Sequence, residues 1–109
     1  MFTIVELPDF QRLWPRYWNE DEYFAFTGFI AENPDAGTLV PKSGGVRKVR
    51  WARQGTGKSG GVRVVYFKRT AAGQIVLLTI YAKATTASLT AAQLKELRYD
   101  YEKIIASKR

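Results

Sequence analysis

Cysteine and histidine are absent from the chain. Without them there is no disulfide, no thiolate nucleophile, no Cys/His zinc site and no histidine general base. The lack of cysteine fits a reducing compartment, and fits a secreted protein nearly as well. Apolar runs such as Ile75 to Leu78 fall far short of the roughly 20 residues that a membrane helix needs. The opening segment MFTIVELPDF has neither the basic stretch nor the apolar core of a signal peptide. The expectation is a soluble, cytoplasmic protein with no membrane role. Acid is also missing where it matters most. Residues 36–94 hold ten Lys or Arg and no Asp or Glu. Residues 1–35 hold seven acids and two bases, and residues 95–109 hold three acids and five bases. The net charge of +7 is therefore concentrated in the middle of the chain. A solvated basic face is the plain alternative, but so many like charges repel, and a polyanion such as nucleic acid relieves that repulsion.

What is present suffices for one core. A length of 109 residues, 46% of them apolar and 14% aromatic, makes a single domain spanning 1–109. Residues 2–6 are β-branched and read as a strand. Pro8 suits the first turn of a helix, Phe10, Leu13, Trp14 and Tyr17 give it an apolar face, and Pro15 kinks or ends it. Asn19 and Glu22 form a capping-box signature for a second helix, with Tyr23, Phe26, Phe29 and Ile30 as its stripe and Asn33-Pro34 as its stop. Residues 35–45 read as a loop. Three strands follow, at 46–53, 62–68 and 75–81, the last a nearly continuous apolar run suited to burial on both faces. Thr90 and Gln93 cap a final helix whose stripe is Leu94, Leu97, Tyr101 and Ile104, running to about Ser107. The order β-α-α-β-β-β-α is an α+β sheet with helices expected against one face.

Two features bear on chemistry. Gly57-Lys58-Ser59 resembles the end of a phosphate-binding loop, but the first glycine of that motif should fall at position 52, which is Ala52. A strand rather than a helix follows, and no acid is nearby to hold magnesium, so nucleotide hydrolysis is not expected. A basic loop gripping a phosphate backbone and an ordinary hairpin loop both remain open. Strand alternation is more telling. Lys48 and Arg50 share one side of their strand, and Val49 with Trp51 marks the other as the packed side. If Arg63 faces the same side on the next strand, three cations gather on an exposed sheet, and Lys83 is in reach beyond Thr79 and Tyr81. Ordinary surface cations are the competing reading.

The segments Gly44-Gly45-Val46-Arg47-Lys48-Val49-Arg50, Gly60-Gly61-Val62-Arg63-Val64-Val65-Tyr66 and Leu77-Leu78-Thr79-Ile80-Tyr81-Ala82-Lys83 resemble the HigB branch of the RelE/ParE toxins. Leu89-Thr90-Ala91-Ala92-Gln93 fits the final helix of that branch. The likeness in order and spacing extends over residues 2–105 and is most specific within 44–94. It implies a RelE-like single domain, with a small, mostly antiparallel sheet carrying N-terminal helices and a C-terminal helix. It also implies a type II toxin that cuts mRNA in the ribosomal A site, with no cofactor and no metal, controlled by a HigA-like helix-turn-helix antitoxin. Carried over by motif, Lys48, Arg50, Arg63 and Lys83 are candidate catalytic residues, and Tyr81 joins them as a candidate for proton transfer if its hydroxyl lies near those cations. Arg47, Arg53, Lys58, Lys68 and Arg69 are candidates for holding RNA or the ribosome.

The proton donor and acceptor stay open among Tyr81, Lys48, Tyr99 and Tyr101, with Tyr101 on a buried stripe. Two other functions fit the same broad pattern. One is a ParE-like inhibitor of DNA gyrase, a class that generally lacks the paired strand cations. The other is a non-catalytic RNA-binding module, because fold alone does not fix function.

Overall fold

A computed structural model describes residues 2–51, 61–82 and 90–107 of the protein. In chain order the elements are β1 (Thr3–Glu6), α1 (Pro8–Leu13), a 3-10 turn (Trp14–Arg16), α2 (Glu20–Glu32) and β2 (Thr38–Leu39). Then come β3 (Arg47–Trp51), β4 (Val62–Arg69), a second 3-10 turn (Thr70–Ala72), β5 (Gln74–Ala82) and α3 (Ala91–Ser107). They form an α+β domain around one five-stranded sheet, ordered β1-β5-β4-β3-β2. All neighbours in it are antiparallel except β1, which runs parallel to β5. Among the described residues no helix is long and apolar enough to cross a membrane.

The local signals act as their chemistry requires. Pro15 ends α1, and the chain continues as the 3-10 turn. Asn19 Oδ1 accepts from the Glu22 amide at 2.8 Å, and Glu22 Oε1 accepts from the Asn19 amide at 3.0 Å, closing a capping box. Thr90 Oγ1 and Gln93 Oε1 exchange the same pair of bonds at 3.1 and 2.8 Å ahead of α3. Each such cap is worth about 1 kcal/mol to its helix. Strand β5 is buried along nearly its whole length, as its continuous apolar run predicts.

The expectation of helices on one face only is corrected. Two apolar clusters lie on opposite faces of the sheet. Phe10, Trp18, Phe26 and Ile30 pack on Val49, Val62, Val64, Tyr66, Leu77 and Ile80. Leu94 and Tyr101 of α3 pack on Val46, Val65, Phe67, Val76, Leu78 and Tyr81. Strands with apolar side chains on both faces need two covers, and α3 is the second. The segment read as a loop also contains β2, two residues that pair with Arg47 and Lys48. Two residues carry too little pattern to be read as a strand.

A register shift decides which face several residues occupy. Val65 is paired with Thr79, but Tyr66 is paired with Leu77, so Leu78 is an extra residue in β5. Ile75, Leu77 and Ile80 consequently lie on the α2 side, while Val76, Leu78 and Tyr81 lie on the α3 side.

Candidate nucleic-acid interface

Three of the expected cations come together. Arg50 is paired directly with Arg63, and Arg63 with Tyr81, making one row across β3, β4 and β5. The adjacent row runs Lys48, Val65, Thr79. Val46, Val65 and Phe67 are on the α3 side, and strand alternation puts Lys48, Arg50 and Arg63 on that same side. Residues directly opposite in an antiparallel pair have Cβ atoms roughly 5 Å apart, and like charges so placed destabilise the sheet. An anion bridging them removes that cost. Arg50 is exposed, and Lys48 and Arg63 are half-buried. The face is not bare, as the sequence suggested, because α3 covers part of it.

Tyr81 completes the row but is only 5% exposed, packed in the α3-side cluster. Tyr101 is buried, as its place on the helical stripe predicted, and Tyr99 is exposed. Lys83, Arg53, Lys58 and the Gly57-Lys58-Ser59 segment lie outside the described residues.

Other basic residues are engaged in holding the fold. Arg47 Nη1 donates to the Gly37 carbonyl at 2.8 Å, and its Nη2 lies 3.5 Å from Asp35. Lys68 Nζ reaches Asp35 Oδ1 at 2.6 Å. That hydrogen bond from Lys68, with the nearby positive charges, holds the Asp35 carboxyl below the usual carboxylate range. Alternation puts Arg47 and Lys68 on the α2 side, away from the cation row. The basic zone is thus partly neutralised by an acid from the N-terminal third, a pairing that charge counting by segment could not reveal. Arg69 donates to Gln74 Oε1 at 3.0 Å and to the Tyr101 hydroxyl at 3.3 Å. It lies six residues from Arg63 along β4, roughly 20 Å away.

The placement of Lys48 rests on neighbours the sequence did not single out. Tyr66, fully buried, accepts from the Gly37 amide at 2.9 Å and donates to the Pro34 carbonyl at 2.8 Å. Burial pushes its hydroxyl above the ordinary tyrosine pKa of 10.0, partly offset by the Gly37 amide and Arg47. Gly37 packs so closely that a Cβ there would lie 2.8 Å from the Lys48 carbonyl oxygen. Ser43, fully buried, fixes the connection into β3 by accepting from the Val46 amide at 3.0 Å and donating to the Val40 carbonyl at 2.6 Å. Gly44 and Gly45 take positive φ of 77° and 98° there, which glycine adopts without strain. Arg98 of α3 donates to the Gly44 carbonyl and lies 4.9 Å from the centre of the Phe67 ring. A serine followed by two glycines gives a usable turn signal, but the reach from Arg98 spans too much sequence to be read from it.

The mixed five-stranded sheet, with α1 and α2 chiefly on one face and α3 on the other, defines a RelE-like α+β domain. In particular, it is similar to the structure of the E. coli toxin RelE, solved in the free state as a mutant with two arginines changed to alanine. The TM-score is 0.57 at 12% sequence identity, covering 77% of this chain and 86% of that one. No protein-family model matches the chain.

Proposed function

We propose that this protein is a HigB-type toxin of a type II toxin–antitoxin system, an endoribonuclease that cuts mRNA in the ribosomal A site. The observation that carries the reading is the cation row: Arg50 opposite Arg63, with Lys48 on the adjacent row of the same face. The resemblance of residues 44–94 to the HigB branch and the likeness of the fold to the toxin RelE support it.

In the proposed reaction the ribose 2′-hydroxyl attacks the adjacent phosphorus and the bond to the 5′ oxygen breaks. The products are a cyclic 2′,3′-phosphate and a 5′-hydroxyl. Negative charge grows on the phosphoryl oxygens in the transition state, where Arg50 and Arg63 would neutralise it. One well-placed donor of this kind is worth about 10²–10³ in rate. The reaction needs no metal and no cofactor, but one proton must leave the 2′-hydroxyl and one must reach the departing oxygen. Lys48 and Tyr81 are the candidates, and Lys48 is the more accessible of the two. Ribosomal positioning of the strand supplies the in-line geometry that a free transcript lacks. The partners of this reading are mRNA, the 30S A site and a HigA-like antitoxin encoded beside the toxin, in the cytoplasm.

Primer extension on an mRNA under translation tests the reading. Discrete cuts are expected with ribosomes present, and none on the purified transcript. Uncut mRNA together with inhibition of gyrase would establish the ParE-like alternative. Uncut RNA that is nevertheless bound would establish a binding module.

A further inference from the structure

A second cluster lies on the same face of the sheet, where α3 meets the turn leading into β3. It is a cleft of about 240 Å³ lined by Gly44, Lys95, Arg98, Tyr99 and Glu102. Gly44 lets the helix come close, for a Cβ there would lie 3.4 Å from Arg98 Nη1 and 3.8 Å from Lys95 Cγ. Lys95 and Tyr99 are both exposed and one helical turn apart, so they are neighbours on the helix surface. Tyr99 leaves 62% of its surface in solvent, whereas Tyr66, Tyr81 and Tyr101 are buried. Lys103, one turn further on, places its Nζ 4.9 Å from the centre of the Tyr99 ring. The outward side of α3 thus presents an aromatic ring between two lysines.

Arg98 gives an independent indication. Its Nη1 donates to the Gly44 carbonyl, and its Nη2 lies 3.9 Å from Glu102 Oε1. Its Nε is buried and has no partner among the described residues. Buried polar groups in folded proteins nearly always have one, so this guanidinium lacks an acceptor. Glu102, the acid of the cleft, is drawn to Arg98, whereas Lys95 has no ion pair among the described residues. The uncompensated charge of the cleft is therefore positive.

We infer that this cleft holds an unpaired nucleotide of a single RNA strand, with its base stacked on Tyr99 and its phosphate beside Lys95. Exposed aromatic rings flanked by cations hold single strands without reading their sequence, because every base has a flat face. A base carbonyl or a phosphate oxygen would also give Arg98 Nε the acceptor it lacks. The volume favours one flat ring, since pockets for whole small molecules run to roughly 300–1,000 Å³. An acidic peptide would satisfy the lysine but leave the ring unused. The inference rests on the reading of the cation row as an RNA site and extends it. Gly44 precedes Arg50 by six residues, so the turn lies within roughly 20 Å of the row, and one strand can cross both.

Fluorescence anisotropy of the full chain with a labelled 2′-O-methyl oligouridylate tests the inference, because that strand lacks the attacking hydroxyl and stays whole. Tyr99→Ala should weaken binding about 5- to 100-fold, the range of a lost stack, and Tyr99→Phe should bind like the parent protein. Lys95→Ala should flatten the dependence of log Kd on log salt by about 0.7, the share of one phosphate contact on a single strand. Both side chains are exposed, so the melting temperature should not change. NMR of the parent protein adds a readout free of substitutions, an upfield shift of the Tyr99 ring protons on binding. Arg63→Ala serves as the parallel arm for the row. Binding weakened by Arg63→Ala and not by Tyr99→Ala would overturn the inference and leave the row reading standing. Binding that needs Tyr99 and Lys95, by a protein that cuts no translated mRNA, would uphold the cleft and sink the nuclease reading. No binding of the strand, or an oligoglutamate bound as tightly through the same residues, would overturn the inference.

Discussion

Arg50 and Arg63 stand directly opposite one another across the β3–β4 ladder, with Tyr81 continuing their row on β5. Like charges placed directly opposite one another in an antiparallel pair disfavour the sheet, so the row is a place where two cations are held together at some cost.

On the proposed mechanism, Arg63→Ala should lower cleavage of translated mRNA by about 10²–10³. The same substitution should leave the fold intact, because relief of like-charge repulsion offsets the modest packing lost by a half-buried side chain. Primer extension and a thermal melt on the same preparation measure both. Undiminished cutting by a folded Arg63→Ala protein would remove the row from the mechanism.

On the proposed reading, an antitoxin should dock away from the row. Residues 1–35 carry seven acids against two bases, a surface suited to a protein partner and unsuited to RNA. Lys48→Ala and Arg63→Ala proteins should then bind the antitoxin with near-normal affinity, as measured by calorimetry. A loss greater than about 3 kcal/mol would mean that the antitoxin covers the row itself.

Gly37→Ala should destabilise the protein by about 1–3 kcal/mol, the usual cost of overpacking. The added methyl would lie 2.8 Å from the Lys48 carbonyl oxygen and 2.9 Å from the Tyr66 hydroxyl. Tyr66→Phe should cost about 1–3 kcal/mol for a different reason, because the Gly37 amide and Pro34 carbonyl lose their shared partner. Denaturant unfolding of the two variants and their double mutant would show coupling, since both act on one contact. Strict additivity would contradict it.

Stability should fall at alkaline pH. Burial, then the hydrogen bond and charge of Glu6, push the Tyr23 hydroxyl up to about 12, and burial raises Tyr66 as well. For a tyrosine raised above its unfolded value of 10.0, the stabilisation is complete below that pH and is lost as pH rises towards the folded value. Tyr23→Phe should flatten the decline in melting temperature between pH 10 and about 12. An unchanged slope would mean that Tyr23 ionises normally.

How far the sequence reaches follows from the range of each interaction. Helix starts and stops are set by groups a few residues apart, so Asn19 with Glu22, Thr90 with Gln93, and Pro15 could all be read directly. That Lys48 and Arg50 share a side was also legible, because alternation along one strand fixes relative side-chain direction; that Arg63 joins them was decided by the β3–β4 register. Other features depend on contacts between distant segments, and no local pattern encodes those. Asp35 reaches Arg47 and Lys68 only because the strands bring them together. Tyr81 joins the arginines because Leu78 shifts the β5 register, where unbroken alternation would have put it with Leu77 on the opposite face. Asp9, Thr79 and Glu96 line one cleft only because three separate elements converge. The sequence by itself determined the helix caps, the basic middle zone and the candidate cations. Only the tertiary structure decided which charges neutralise one another and which side chains share a surface, because both depend on register and packing between segments far apart in the chain.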